Sequence, residues 1–235
     1  MLDTEFLTIV GLGFVLGLRH ALDTDHLAAV STVLAQRPSF RAAGMIGFSW
    51  GLGHTAILLL VGAVVLVCRV PVPAPMALAA EFGVGAMLVL LGGLLGLRLV
   101  RERWHVHRHE HDETPHLHLH SHALADDHGH GHWWRDSLRP FCIGMAHGLA
   151  GSSALLVLVL SSAPSVSAGL IYIAVFGAGS ILGMMLVGIV VSLPVVWSLN
   201  LGRPMFLAAQ GLASLGSVAV GLTIMLQLAF GGHLF

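Results

Sequence analysis

The sequence contains no lysine, and all eleven of its basic residues are arginine. Only 10% of its residues are charged and 56% are hydrophobic, whereas a soluble domain is about 25% charged. The formal net charge of −1 excludes the basic excess that phosphate binding requires, and so argues against a nucleic-acid partner. The composition therefore indicates an integral membrane protein that has the lipid bilayer as its solvent.

Cysteine is also scarce. Cys68 and Cys142 form no CxxC pair, which excludes a disulfide framework and a thiolate zinc site. A thiol–disulfide electron carrier would need a paired cysteine from each half of the chain, and these two do not occupy equivalent positions. Walker A and HExxH motifs are missing as well, so the chain is expected neither to hydrolyse ATP nor to act as a metalloprotease. The acidic start, MLDTEFL, lacks the basic region of a cleaved signal peptide, so the first apolar segment is expected to remain as a span.

The apolar residues fall into six segments, each at or above the roughly 20 residues needed to cross the hydrocarbon core. Residues typical of loops separate these segments: Pro38, the PVPAP run at 71–75, Pro164 and Arg203-Pro204. The first segment is too long for one straight helix, and we expect it to break near Gly17–Asp25. The predicted fold is an all-α, polytopic membrane protein with spans at 5–35, 42–68, 77–99, 138–161, 167–192 and 205–230.

The arginines predict the orientation of these six spans. Nine of them lie in or beside the loops that follow spans 1, 3 and 5, and only Arg69 lies on the opposite side. Because cytoplasmic loops carry the excess of basic residues, both termini are expected outside and the loop after span 3 in the cytoplasm. The predicted location is the plasma membrane of a bacterium.

The two halves of the chain resemble each other. GLRHAL at 17–22 aligns with GMAHGL at 144–149, and FSWGLG at 48–53 aligns more weakly with FGAGSI at 176–181. Three spans per half would invert the second copy, a common transporter plan with its site at the midplane. The alternative is a chance likeness between glycine-rich helices. We therefore predict a first three-helix repeat at 1–100, a histidine-rich loop at 101–137 and a second repeat at 138–235.

Glycine recurs at a spacing of four residues in several of these segments. This spacing brings helix backbones close together in lipid and indicates packing rather than a substrate site. The pairs are Gly13/Gly17, Gly47/Gly51, Gly92/Gly96, Gly144/Gly148 and Gly179/Gly183.

The stretch RHALDTDH at 19–26 is the most polar part of the apolar segments. A charged group at the centre of a bilayer costs about 2.5–3.5 kcal/mol on insertion scales. Arg19 and Asp23 are four apart and would offset part of that cost as a helical ion pair, and Asp23 is three residues from both His20 and His26. The two histidines are six apart, so a local unwinding would be needed for both to face inward, which is tolerated where backbone lines a cavity.

A divalent cation would give these groups a partner, because imidazole and carboxylate suit Ni²⁺, Co²⁺, Cu²⁺ and Zn²⁺. His54 and His147 lie in two further apolar segments. A lone histidine in a helix is more often a packing residue, but histidines on three separate spans favour a metal site. The candidate ligands are His20, Asp23, Asp25, His26, His54 and His147; candidate supporting residues are Arg19, Thr55, Ser152 and Ser153, for which plain helix packing is an equal alternative.

The stretch from Arg19 to His26 resembles the signature of the nickel/cobalt transporter family: a histidine, four residues, then Asp-His. GLGHT at 51–55 is similar to a second motif of that family, and GMAHGLAGSSAL at 144–155 resembles its short, six-span members, the urease-accessory nickel permeases and nickel/cobalt efflux permeases. The longer uptake proteins of the family have eight spans, and their later motifs are not clearly present here. The resemblance implies a transporter of Ni²⁺ or Co²⁺ without a prosthetic group, in which His20, Asp25 and His26 select the metal and His54 supports them. His147 joins them as the repeat equivalent of His20.

The segment between spans 3 and 4 is rich in histidine, with acidic residues among the HxH repeats. Such tracts bind metal by composition, and we expect this one to be irregular and to capture or buffer the metal in the cytoplasm. A solvated linker is the alternative. A cytoplasmic metallochaperone is a candidate recipient of the metal. The histidines concerned are His105, His107, His109, His111, His116, His118, His120, His122, His128, His130 and His132.

Other functions remain open at this level. Uptake is slightly favoured by the short form and the motif set, while efflux relatives also carry histidine-rich loops. Nickel and cobalt accept the same donors. A histidine-rich intramembrane metalloenzyme and a metal sensor or storage protein are the alternatives from other classes, although a sensor would leave the cluster at 19–26 without a role. The oligomeric state cannot be read from the sequence.

Overall fold

The computed structural model of the chain describes residues 4–102, 107–109, 116–118, 137–150, 163 and 165–231. Two three-residue strands, β1 (His107–His109) and β2 (His116–His118), pair antiparallel, with His107 opposite His118. The rest of the regular structure in the described part is helical. In chain order the helices are α1 (Thr4–His20), α2 (Thr24–Leu34), α3 (Phe40–Cys68), α4 (Ala74–Glu102), α5 (137–150), α6 (Val166–Asn200) and α7 (Arg203–Ala229).

Four of the described helices are long and apolar enough to cross a membrane: α3, α4, α6 and α7. This finding supports the prediction of a helical, multi-pass membrane protein. Helix α6 runs beyond the predicted span 167–192, since it continues through Pro194 to Asn200, and proline is tolerated inside membrane helices. Gly202, at φ 98°, forms the turn into α7, a conformation that glycine adopts without steric cost.

The first apolar segment is broken where the sequence predicts a break. Helix α1 ends at His20, and α2 begins at Thr24. The turn between them is closed by backbone bonds from Leu22 to Arg19 (2.9 Å) and from Asp23 to His20 (3.1 Å). The polar motif therefore lies on both sides of a helix break.

Helix α2 lies inside the helix bundle. It contacts α3, α4, α6 and α7, and its side chains Ala29 and Leu34 are completely buried. Thr32 donates a hydrogen bond to the carbonyl of Ala213 (3.3 Å), and Gln210 donates to the carbonyl of Ala35 (2.7 Å). These two bonds tie α2 to α7 and fix the second half of the polar motif in the interior.

The glycines spaced four apart lie at helix contacts, as predicted from the sequence. A Cβ on Gly17 would collide with the carbonyl of Phe176, and one on Gly144 with the carbonyl of Trp50. The other members of these pairs likewise have atoms of another helix within 3.0 Å of the Cβ position. Helix α1 therefore packs on α6, α5 on α3, α3 on α6 and α4 on α7, each with backbones in close approach.

Buried hydroxyl groups reinforce the same helix pairs. Ser180 of α6 donates to the carbonyl of Gly17 in α1 at 3.3 Å. In the α4–α7 pair, Ser214 donates to Gly92 at 2.8 Å and Ser217 to Leu88 at 2.9 Å. Interhelical hydrogen bonds of this kind stabilise membrane bundles, where the hydrophobic effect between helices is weak.

Candidate metal site

The break between α1 and α2 brings two histidines of the polar motif together. His20 is the last residue of α1, and His26 is the third residue of α2. Their ring centroids are 4.7 Å apart, with the rings at 78° to each other. The predicted local unwinding is thus confirmed, because two side chains six residues apart could not meet on one straight helix.

His54 of α3 joins this pair. It stands at the midpoint of the 29-residue helix, and its ring centroid is 5.0 Å from that of His20 and 5.6 Å from that of His26. One nitrogen from each of the three rings lies within 4.8 Å of the others. Imidazole nitrogens that bind one ion at about 2.1 Å are at most about 4.2 Å apart, so a small inward movement would let all three rings reach a single ion.

The fourth histidine and a carboxylate complete the cluster. His147 of α5 has its ring centroid 5.0 Å from that of His26, and its Nε2 lies 3.8 Å from Oδ2 of Asp25. The other oxygen of Asp25 accepts a hydrogen bond from the backbone N–H of His26 at 2.9 Å. Asp25 therefore presents its carboxylate between His26 and His147.

The buried histidines have no hydrogen-bond partners for their rings. His26, His54 and His147 are each at most 2% exposed, and within the part of the chain that the structure describes none of their ring nitrogens has a hydrogen-bond partner. The carboxylate of Asp25 lies near two of them, 3.5 Å from Nδ1 of His26 and 3.8 Å from Nε2 of His147. Buried polar atoms without partners are costly. A metal ion would accept the lone pair of one nitrogen in each ring and so remove part of that cost, and this chemistry fits a nitrogen-rich site for a transition metal.

Asp23 has a different environment from Asp25. Its side chain is 54% exposed, and its Oδ2 lies 2.7 Å from Nδ1 of His20. The expected ion pair between Arg19 and Asp23 is wrong: Arg19 is exposed, and its predicted partner pairs with His20 instead. The reason is the helix break, which removes the i,i+4 geometry on which that ion pair depended.

A family model described as "High-affinity nickel-transport protein" matches residues 6–200, a range that includes every residue of the cluster. The chain belongs to this family. It is also 35% identical over 194 residues to the "Urease accessory protein UreH" of Bacillus sp. (strain TB-90), which is 82% of this chain and 79% of that protein. No solved structure matches it.

Membership of the nickel-transport family confirms the resemblance that the motifs carry. The family transports an ion, so the chain is a transporter and not an enzyme. Ni²⁺ is the substrate that this family transports, and the long apolar helices of the chain are suited to a membrane.

The predicted supporting residues and the loop histidines lie in different parts of the structure, and some lie outside the described residues. Thr55 donates a hydrogen bond to the carbonyl of Gly177 at 3.2 Å and so contributes to the contact between α3 and α6. Ser152 and Ser153 lie outside the described residues. So do seven of the loop histidines, namely His105, His111, His120, His122, His128, His130 and His132. Four others lie on β1 and β2, where the backbone is paired rather than irregular as expected: His107, His109, His116 and His118.

Two aromatic residues beside the cluster were not predicted from the sequence. The ring centroid of Trp50 is 5.1 Å from that of His147, and the centroid of Phe176 is 5.5 Å from that of His20. Trp50 precedes His54 by four residues, which places both on one face of α3. That spacing is the signal that would have identified Trp50.

Proposed function

We propose that this family member is a permease that carries Ni²⁺ or Co²⁺ through the cluster of histidines and Asp25. The observation that supports it most is the convergence of His20, His26 and His54, whose ring nitrogens come within 4.8 Å of one another from three different helices. Both ions accept nitrogen and oxygen donors, so the site is suited to either.

The ligands have distinct roles in this proposal. His20, Asp25 and His26 form the metal-selecting core, and His54 and His147 support it. Because Nδ1 of His20 is engaged by Asp23, the nitrogen of His20 left for the ion is Nε2. Asp23 also offers a carboxylate oxygen within 4.8 Å of ligand atoms of Asp25 and His26. A carboxylate that orients a ligating histidine is a common feature of metal sites, and the contact of Asp23 with His20 favours this orienting role over direct binding of the ion.

The packing of α1 on α6 and of α5 on α3 supports two repeats. Gly179 lies against the carbonyl of Phe14, and Gly53 lies against the carbonyl of Phe141. Phe14 and Phe141 are 127 residues apart, and Gly53 and Gly179 are 126 apart. The first helix of each half thus meets the second helix of the other half through equivalent residues.

The α4–α7 pair has the same internal symmetry. Gly92 lies 2.6 Å, measured from its Cβ position, from the carbonyl oxygen of Ser214, and Gly221 lies 2.5 Å from that of Gly85. Gly92 and Gly221 are 129 residues apart, as are Gly85 and Ser214. Exchanging the two helices therefore exchanges the two contacts, which is the behaviour of a two-fold axis.

The α3–α6 pair follows the same rule at an offset of 126 residues. Gly51 faces Ile181, and Gly177 faces Thr55. Gly51 corresponds to Gly177 and Thr55 to Ile181 in this pairing. The offset is two residues smaller than in the alignment of FSWGLG with FGAGSI, and a weak local sequence likeness does not fix the register of a helix contact.

These equivalences favour six spans arranged as two inverted three-helix repeats, 1–100 and 138–235, joined by the histidine-rich segment 101–137. Inverted repeats place the site near the midplane and expose it to each side in turn. The position of His54 at the middle of α3 agrees with that depth. We infer a bacterial plasma-membrane protein with both termini outside and the loop in the cytoplasm, on the arginine distribution.

Uptake is the direction that we favour. The matched relative is named a urease accessory protein, and an accessory role of that kind fits delivery of nickel to the cytoplasm. There the loop histidines would capture the ion and pass it to a metallochaperone. Efflux for metal resistance is the second candidate, because a cytoplasmic loop could equally collect metal for export.

The test measures ⁶³Ni accumulation in cells that express the unmodified chain, in cells that express Asp25→Asn, and in cells that express neither. The carboxamide keeps the shape of the side chain but removes its charge, so we expect transport to be lost while the protein stays in the membrane. Glu81→Gln on α4 is the matched control and should transport normally. Normal transport by Asp25→Asn would overturn the site, and lower accumulation with the unmodified chain than without it would indicate efflux.

A further inference from the structure

Each half of the protein places one aromatic ring against one histidine of the site. Trp50 lies 5.1 Å from His147 with the rings at 45°, and Phe176 lies 5.5 Å from His20 with the rings at 41°. Both aromatic side chains are buried, Trp50 completely and Phe176 to 95%. The two contacts thus have nearly the same geometry.

The backbones beside these rings match as well. The carbonyl of Phe176 rests on Gly17, three residues before His20, and the carbonyl of Trp50 rests on Gly144, three residues before His147. The two glycines are 127 residues apart, as are the two histidines, and the two aromatic residues are 126 apart. These are the offsets of the proposed repeat, so the same arrangement of aromatic ring, glycine and histidine occurs once in each half.

We propose that Trp50 and Phe176 are the two gating residues of the transport path, one on each side of the metal site. This inference rests on the permease function and the inverted repeats proposed above. Because inverted repeats exchange the two faces of the membrane, a ring that closes the site on one side has its equivalent closing it on the other. Large apolar side chains suit this task, since a hydrophobic constriction excludes a hydrated ion.

The two ends of the site differ in exposure, which is what alternate closure requires. At the His20 end, the His20 side chain is 18% exposed, and the neighbouring Asp23 connects it to the surface. At the opposite end, His147 and Trp50 are fully enclosed. In this structure both rings lie against their histidines, so it holds both gating residues in contact with the site. Opening toward either side would require the ring on that side to move away from its histidine.

The experiment measures ⁶³Ni counterflow in vesicles that contain the full chain and are loaded with unlabelled Ni²⁺. A carrier with two intact gates shows a transient overshoot of internal label, whereas an ungated path lets the label equilibrate without one. We expect Trp50→Ala and Phe176→Ala each to lose the overshoot, while the KM for Ni²⁺ stays within about threefold of the parent. Trp197→Ala and Phe48→Ala, two exposed aromatic residues, are the matched controls and should keep it.

The outcomes separate the gating proposal from the proposed function. A retained overshoot in the two alanine variants overturns the gating roles, and so does a KM that rises at least about tenfold together with loss of flux, because the rings would then only shape the site. Trp50→Phe keeps a ring and must keep the overshoot; its loss there would also overturn the proposal. A parent chain with no saturable Ni²⁺ flux would instead contradict the permease function itself.

Discussion

Asp23 and Asp25 are two residues apart, yet their surroundings assign them different tasks. Asp25 is 29% exposed and directs its oxygens toward His26 and His147. Asp23 is at the surface and holds Nδ1 of His20. In a metal site, the first arrangement suits a ligand and the second suits a group that fixes the orientation and tautomer of a ligand.

Asp23→Asn should therefore weaken the site without abolishing it. An asparagine can still hydrogen-bond to His20 but carries no charge, and loss of such an orienting carboxylate typically costs about 10–100-fold in metal affinity or activity. We expect the KM for Ni²⁺ in vesicles to rise within that range, while His20→Ala abolishes transport. Equal, complete loss in Asp23→Asn and Asp25→Asn would instead make Asp23 a direct ligand.

The site residues that could be predicted from the sequence are those with ionisable side chains, which are rare in membrane-spanning segments. Ionisable side chains in apolar segments drew attention to His20, Asp25, His26 and His54, because each is costly there without a partner. Trp50 gave no such signal, since tryptophan in an apolar helix is ordinary. Its importance depends on the neighbour that the fold supplies.

The helix break and the close helix contacts are the features that matter at the scale of the element. The break at Ala21–Asp23 positions both halves of the polar motif, and it could be predicted because two histidines six apart cannot share a helix face. The glycine spacing likewise predicted the contacts. The partner of each glycine could not be predicted, because local sequence does not specify which helix packs on which.

Gly92 and Gly93 offer a matched test of those contacts. A Cβ on Gly92 would lie 2.6 Å from the carbonyl oxygen of Ser214, whereas one on Gly93 would meet nothing within 4 Å. Overpacking typically costs about 1–3 kcal/mol, so Gly92→Ala should lower the thermal unfolding temperature of the purified protein. Gly93→Ala should leave it unchanged or raise it, because alanine favours the helix by up to about 1 kcal/mol. Equal effects of the two substitutions would contradict the α4–α7 contact.

At the scale of the whole molecule, the proposed function divides the metal chemistry between the bundle and the histidine-rich loop. The bundle holds the site that all transported ions would pass, whereas the loop lies between the two proposed repeats. The sequence alone suggested this division, and the offsets of 126 to 129 residues between helix contacts are the support for the two proposed repeats that flank the loop. Short motif matches alone could not give that register along whole helices.

Deletion of residues 105–132 tests the division. If the loop only captures or buffers metal, the shortened chain should keep saturable ⁶³Ni transport at a reduced rate in cells grown at low nickel. A metal sensor or storage protein would lose its metal-dependent behaviour with the loop. Complete loss of transport in a stably inserted deletion variant would show that the loop belongs to the transport path.

The most direct test of the whole account is to locate bound nickel by anomalous X-ray scattering at the Ni K edge in crystals of the full chain. We expect a peak within ligating distance of His20, Asp25, His26 and His54, and we expect it to disappear in Asp25→Asn. Nickel found only in the histidine-rich loop, with nothing bound among these four side chains, would contradict it.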